Sequence, residues 1–319
     1  MRFHTDQLTG TFGVVLTPAA EPQALLSAAA LRPLVAEHRA VLLRDFPIDV
    51  EAILALAREL FEGKMIYGQD RRQISACDTV QFTSPGRQWI QLHCEASYSP
   101  LRPDLALFYC DAPALKGGET HIGDGVSIYE RLRPATRELL RTQRIRYYNL
   151  MKAPVWRRAF GAATKEEMLQ LLQTPPPPAS TNQVVAFAID AEETLRLDYV
   201  APAVFRHPGT GRLVFAASFT KYANDEPADW HLASGTRKVW TRFADQSPIP
   251  DAVRGEIDEA LQSLTVPVAW RKHDLLLLDN WSVLHGRAEF FDDVRSIFAS
   301  FGYAAWLRPE GVAPPLRVF

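Results

Sequence analysis

Apolar positions fall at helical spacing early in the chain and at strand spacing through its middle and end. Between Glu21 and His38, the residues Leu25, Leu26, Ala29, Leu31, Leu34 and Val35 keep to one face of a 3.6-residue period, which predicts a helix. Ala40-Val41-Leu42-Leu43 is a short apolar run of strand length, ended by the Asp45-Phe46-Pro47 turn. Asp49 is placed to cap a second helix running to about Phe61, with Gly63 closing it. From Ile90 to Tyr109 the pattern is strand-like, interrupted by a loop from Pro100 to Pro103.

Further on, Arg137–Thr142 and residues 164–173 read as short helices, and Arg144–Tyr148 alternates like a strand. The run Pro175-Pro176-Pro177-Pro178 is a stiff extended connector. Val204–Arg206 and Leu213–Ala216 flank a turn-rich tip, His207 to Arg212, and so predict a hairpin. A helix from Asp251 to Leu264 precedes two more strands, Asp274–Asp279 and Arg295–Phe301. No fixed-period repeat is present. Strands dominate the middle and the end, with helices between and outside, so the economical reading is one α+β domain over residues 1–319 around a β core.

Composition narrows the function classes. The 35 Lys+Arg and 37 Asp+Glu give a net charge of −2, and 47% of the residues are apolar. That apolar fraction supports a substantial core and argues against wholesale disorder. The near-neutral balance argues against nucleic acid as the main partner, because phosphate binding needs a local excess of Lys and Arg. No stretch reaches the ~18–20 apolar residues of a membrane span, and MRFHTDQLTGTFG lacks a basic-then-apolar secretory pattern. The expectation is a cytoplasmic chain with no membrane partner. Cys77, Cys94 and Cys110 form neither a CxxC pair nor an even framework, which suits reduced, structural thiols.

The chemistry lies in two blocks. In Gln91-Leu92-His93-Cys94-Glu95-Ala96, strand alternation would aim His93 and Glu95 to one face and Leu92 and Cys94 to the other. An imidazole and a carboxylate side by side are two ligands for a divalent metal. Near the other end, Asp279-Asn280-Trp281-Ser282-Val283-Leu284-His285-Gly286-Arg287 follows the leucine-rich strand, and Arg295 opens the final one. Two histidines, one carboxylate and open positions match the facial triad of non-haem Fe(II) oxygenases. An arginine entering from a neighbouring strand suits the carboxylate of a co-substrate.

These blocks, with Pro103-Asp104 leading into an apolar strand and Gly117-Gly118-Glu119-Thr120 between them, give the chain its resemblance to a known family. It resembles the taurine dioxygenase and TfdA group of Fe(II)/2-oxoglutarate-dependent oxygenases, within the clavaminate synthase-like superfamily, over about residues 90–300. The resemblance implies a double-stranded β-helix, or jelly roll, with flanking helices and an insertion or lid at about residues 150–200, between the metal-ligand blocks. It implies that His93, Glu95 and His285 hold Fe(II), that Thr120 hydrogen-bonds 2-oxoglutarate, and that Arg295 pairs with its distal carboxylate. The glutamate at 95, in place of the commoner aspartate, resembles the branch that includes clavaminate synthase and the arginine and asparagine hydroxylases. It also disfavours a halogenase, in which a small residue opens that coordination position. One departure stands out: some relatives carry a second arginine four residues past the first, where this chain has Ala299.

The implied reaction couples O2 and the oxidative decarboxylation of 2-oxoglutarate to hydroxylation of an unactivated carbon. The expected substrate is a small molecule, an amino acid or an amino-acid-derived intermediate of secondary metabolism, either free or tethered to a carrier protein. Desaturation, epoxidation and cyclisation use the same chemistry and stay open, as does a homo-oligomeric state. Gln81, Ser84, Arg157, Lys221, Tyr222 and Asn224 are candidate substrate contacts, chosen by their position near the predicted strands and in the cationic KAPVWRR segment. Two rivals come from other classes. A zinc hydrolase also uses His-His-Glu but has no need of Thr120 and Arg295, and a non-catalytic sensor has no chemical reason to keep the three ligands.

Overall fold

The computed structural model describes residues 3–19, 27–66, 80–83, 86–226 and 237–316. Its largest sheet runs in the order Phe3–Gln7, Val14–Pro18, Ala40–Leu43, Leu275–Asp279, Leu105–Ala112, Ser296–Tyr303 and Gly63–Lys64, with Val80–Phe82 also paired to Ser296–Tyr303. Neighbours are antiparallel except Val14–Leu16 with Val41–Leu43. The strands at its centre, Ala40–Leu43 and Leu275–Asp279, are buried along their whole length, which explains their uninterrupted apolar sequence. A four-stranded sheet, ordered Val266–Val268, Thr120–Asp124, Val283–Arg287 and Ile90–His93, faces it. Leu42, Phe108, Leu276 and Phe301 from the large sheet share one apolar cluster with Ile122, Val268 and Val283 from the small one. The space between these sheets holds the site described below.

A second four-stranded sheet, ordered Gln183–Ile189, Leu195–Pro202, Arg144–Met151 and Arg237–Phe243, is built from the chain between the two motif blocks. Alternation divides its central strand. Ile145, Tyr147 and Met151 join the main core, whereas Tyr148 and Leu150 form a separate cluster with Trp240. The predicted hairpin is present as Val204–Arg206 with Leu213–Phe215.

Helices follow the capping signals. Asp49 accepts from the Ala52 N–H at 2.8 Å and opens the helix Val50–Leu60. Ser27 caps Ala28–His38, so the earlier start expected at Glu21 falls largely outside the described residues. Gly63 does not close the second helix: the cap is Phe61, and Gly63 begins a two-residue strand against Tyr303. Among the described residues no helix is long and apolar enough to cross a membrane.

Candidate metal centre and co-substrate cavity

Strand alternation is not what brings His93 and Glu95 together. The strand Ile90–His93 ends at the histidine, and Glu95 lies in the turn that follows, where Ala96 takes a left-handed φ of 50°. The expectation of one shared strand face is therefore corrected. With no ladder partner, the backbone polar groups of this buried turn are satisfied by side chains. The Ser218 hydroxyl accepts from the Cys94 N–H at 2.9 Å and meets the Cys94 carbonyl at 3.1 Å. The Asn280 side chain accepts from the Glu95 N–H at 2.8 Å, donates to the Glu95 carbonyl at 3.0 Å, and donates to the Pro103 carbonyl at 2.8 Å. Two side chains remote in sequence thus fix the carboxylate's position.

His285 lies within the strand Val283–Arg287 and pairs directly with His93 across the small sheet. Gly286 permits that approach, since a Cβ there would stand 2.5 Å from the Ile90 carbonyl oxygen. The histidine rings are 4.5 Å apart at 49°, and His285 Nε2 is 3.9 Å from Glu95 Oε2. One ligand atom from each of His93, Glu95 and His285 falls within 4.8 Å of the others. His93 Nδ1 is 2.8 Å from the Gln91 carbonyl, which can only accept, so Nδ1 carries the proton and Nε2 keeps its lone pair for a metal. Two imidazoles and one carboxylate, in reach of each other and converging from one side, fit Fe(II) with positions to spare.

Beside this triad lies a cavity of about 440 Å³, counting its open mouth, lined by Thr83, Ile90, Phe108, Thr120, Arg287, Arg295 and Phe301 as well as the three ligands. Arg295 sits one residue before the strand Ser296–Tyr303 and makes only neutral hydrogen bonds, to the Gly118 carbonyl at 2.9 Å and the Thr83 hydroxyl at 3.3 Å. Burial, and then the neighbouring Arg287, pull its pKa down to about 10. A half-buried guanidinium facing a second cation is an unfavourable arrangement that an anionic ligand relieves. Gly118 makes room for it: a Cβ there would be 2.9 Å from Arg295 Cδ, and φ of +74° suits glycine. Thr120 is buried at the end of Thr120–Asp124 and its hydroxyl accepts from the Trp270 indole N–H at 3.1 Å. The cavity thus offers cationic, hydroxyl and apolar walls next to a metal triad, which fits a small dicarboxylate that reaches from metal to arginine.

The candidate substrate contacts are dispersed. Gln81 is buried on Val80–Phe82 opposite Ala299 and is not among the cavity-lining residues, whereas Thr83, two residues on, is. Ser84 lies outside the described residues. Arg157, on the helix Ala153–Phe160, pairs with Glu193 at 2.5 Å, away from the cavity lining. The Asn224 amide is engaged by both backbone groups of Ile249 it can reach and by Arg254. Lys221 ends a 3-10 turn, Phe219–Lys221, directly after Ser218. Ser218 and Trp270 are positioning groups that no sequence motif marks, and Asn280 stands in the sequence only as part of a motif. Arg287, likewise legible only within a motif, and not position 299, brings a second arginine to the cavity.

Comparison with known proteins gives the family. The family model for the taurine catabolism dioxygenase TauD, TfdA family matches residues 4–299. The chain belongs to that family and is an Fe(II)- and 2-oxoglutarate-dependent oxygenase. It is 26% identical over 275 residues to the dapdiamide synthesis protein DdaC of Enterobacter agglomerans, covering 81% of this chain and 80% of that one. It is 27% identical over 289 residues to a clavaminate synthase-like protein of Arabidopsis thaliana, covering 85% and 83%. The fold is shared with PvcB of Pseudomonas aeruginosa at a TM-score of 0.57 and 19% identity, over 95% of this chain and 92% of that one. PvcB is an Fe, α-ketoglutarate-dependent oxygenase from an isonitrile synthetic pathway.

Proposed function

We propose that this oxygenase hydroxylates an unactivated carbon of a small amino acid or amino-acid-derived molecule, with His93, Glu95 and His285 holding Fe(II) and Arg295 and Thr120 holding 2-oxoglutarate. The observation that carries the co-substrate assignment is Arg295, a guanidinium with only neutral hydrogen-bond partners in a cavity shared with the triad. The secondary-metabolite context draws support from DdaC and PvcB. We also propose that the two facing sheets are the halves of a double-stranded β-helix. The chain passes from Ile90–His93 in the small sheet to Leu105–Ala112 in the large one and back to Thr120–Asp124, and later alternates again through 275–279, 283–287 and 296–303. The region around 150–200 would then act as the lid, tied to the ligand turn through Asn149 Nδ2 and the Tyr98 carbonyl at 3.1 Å.

In this reading each protein group has a defined task. When bound, Fe(II) and 2-oxoglutarate supply, with O2, an oxidant that breaks a strong C–H bond and leave succinate and CO2 as by-products. Arg295 fixes the far end of the co-substrate by charge and a forked geometry, and Arg287 adds to the positive field. Thr120 offers its hydroxyl to a carboxylate while Trp270 holds its oxygen in place. Asn280 and Ser218 keep Glu95 in register with the two imidazoles. Phe108, Phe301 and Ile90 keep that end of the cavity dry.

An anaerobic titration with Fe(II) and 2-oxoglutarate tests the reading. The visible charge-transfer absorption of the bound pair is expected in the native protein and absent in His285→Ala. Zinc binding with no such absorption, and no succinate formed on admitting O2, would replace this reading with the hydrolase.

A further inference from the structure

The side of the triad facing the second four-stranded sheet carries charge that the co-substrate does not use. Tyr98 lies three residues beyond Glu95 on the ligand turn, and its ring meets the Tyr222 ring edge-on at 5.7 Å. The Lys221 ammonium stands 5.3 Å from the centre of the Tyr222 ring, and the Arg237 guanidinium 5.2 Å from that of Tyr98. Four groups from three separate segments thus form one continuous cluster beside Glu95.

Neither cation has a carboxylate partner among the described residues. Among the described residues Lys221 enters no ion pair, and the hydrogen bond of Arg237 is to the thioether of Met151 at 2.9 Å, a weak acceptor. The Arg237 Nε is buried with no hydrogen-bond partner. Strand pairing puts Arg237 opposite Met151, so it stands on the face of the sheet turned to the core. A guanidinium there without an anion is costly unless a ligand completes it.

Lys221 is open to solvent, yet the surrounding protein lowers its pKa, chiefly by burial and against the pull of Glu95. The turn that presents it is rigid. Arg254 donates to the carbonyls of Phe219 at 3.1 Å and Tyr222 at 2.7 Å, bracketing Lys221, and Ser218 ties the turn's start to Cys94. The position is fixed before any ligand arrives.

From this geometry we infer that Lys221 and Arg237, spaced by Tyr98 and Tyr222, bind a free carboxylate of the substrate on the side of the metal opposite Arg295. The inference rests on the oxygenase reading above and adds to it the form of the substrate. A molecule whose carboxylate is consumed in a carrier thioester lacks the charge these groups read. The substrate is accordingly the free acid, with its tyrosine-flanked end anchored and its remaining carbons directed toward the triad.

The test uses the full-length protein, anaerobically, both as apo-protein and loaded with Fe(II) and 2-oxoglutarate. The proteinogenic L-amino acids are titrated calorimetrically, each as free acid, primary carboxamide and pantetheine thioester. At least one acid is expected to bind about 10- to 100-fold more tightly than its amide and thioester, the range of a charge-assisted contact. Lys221→Gln and Arg237→Gln should each reduce that preference about tenfold while the absorption of the bound Fe(II) and 2-oxoglutarate persists, which reports an intact fold. Amides or thioesters binding as tightly as acids, no acid binding at all, or a preference that survives both substitutions would overturn the inference. Loss of the iron absorption in the native protein, with the acid preference retained by apo-protein, would instead remove the oxygenase reading and leave the anion site.

Discussion

Among the described residues neither Arg295 nor Arg237 has a carboxylate partner, but the protein holds the two arginines in different ways. Arg295 enters from a strand of the large sheet, is cradled by the Gly118 carbonyl, and shares its cavity with Arg287 and the triad. Arg237 starts an edge strand of the second four-stranded sheet and touches the ligand turn only through the face of Tyr98. At the first end, strand pairing dictates geometry: His285 opposite His93, with Arg287 two residues on from His285. At the second, position depends on Arg254 and Ser218 bracing one short turn. The end that serves a fixed co-substrate is built into the β framework. The end that selects the substrate is assembled from parts that can change without disturbing the framework, as expected where one scaffold serves many reactions.

The largest expected effect comes from the element common to both ends. His93→Ala or His285→Ala removes one of three metal ligands. The fall in succinate production should exceed the roughly 10–100-fold typical of losing a group that only orients a ligand. Fe(II) affinity, measured by calorimetry, should fall with it. Next comes Arg295→Leu, which leaves a bound carboxylate unpaired. At ~2–5 kcal/mol for breaking a buried charged contact, the Kd for 2-oxoglutarate should rise on the order of 100-fold while Fe(II) affinity holds. Arg287→Leu should give a smaller rise. Equal losses from both arginines would mean the two share the carboxylate, and the assignment to Arg295 alone would go.

Legibility in the sequence divides along the same line. His93, His285, Thr120 and Arg295 could be located because each stands in or beside a strand whose neighbours carry a recognisable motif. Glu95 was found by identity for a geometric reason that does not hold, since strand alternation cannot apply to a residue in a turn. What orients it comes from far along the chain: Asn280 is 185 residues from Glu95, and Ser218 is 124 residues from Cys94. Hydrogen bonds between a side chain and a distant backbone leave no periodic trace. The cluster of Lys221, Arg237, Tyr98 and Tyr222 is harder still, because its members come from three separate segments and meet only through ring contacts at 5–6 Å. The alanine at 299 is visible in the sequence, whereas the place of Arg287 beside Arg295 shows only in the cavity.

Asn280→Ala tests how far the ligand turn depends on side chains. It deprives the Glu95 N–H and carbonyl and the Pro103 carbonyl of partners in the interior. At roughly 1–3 kcal/mol for each buried group left unsatisfied, partly offset by relaxation, the loss of stability should be about 2–4 kcal/mol by denaturant unfolding. Iron affinity should drop about 10- to 100-fold, because Glu95 is no longer held against the imidazoles. Stability lost with iron affinity unchanged would show that Glu95 is positioned by some other contact.

The smallest effect falls on the helix Asp251–Ser263, which joins the two ends. Arg254 on this helix braces the Lys221 turn, and Asp258 accepts from Gln91 on the His93 strand at 2.6 Å. Glu256 anchors the helix from outside, accepting from the Arg133 N–H at 2.5 Å, its Nε at 2.9 Å and the Thr136 hydroxyl at 2.6 Å. Burial opposes ionisation of Glu256, but these hydrogen bonds and the Arg133 charge win and hold its pKa below the usual carboxylate value. A carboxylate with a lowered folded-state pKa contributes stability above its unfolded pKa, near ~4.3, and loses it as pH falls through the folded value. Because Arg133 is largely solvent-exposed, screening keeps the contribution under about 1 kcal/mol. Glu256→Gln should therefore lower Tm slightly at pH 7 and flatten its fall below ~pH 4.5, with 2-oxoglutarate affinity unchanged. If the variant weakens substrate binding as well, the helix transmits strain from its outer anchor to the Lys221 turn. The substrate end would then be the one that responds to this helix, through the contacts of Arg254.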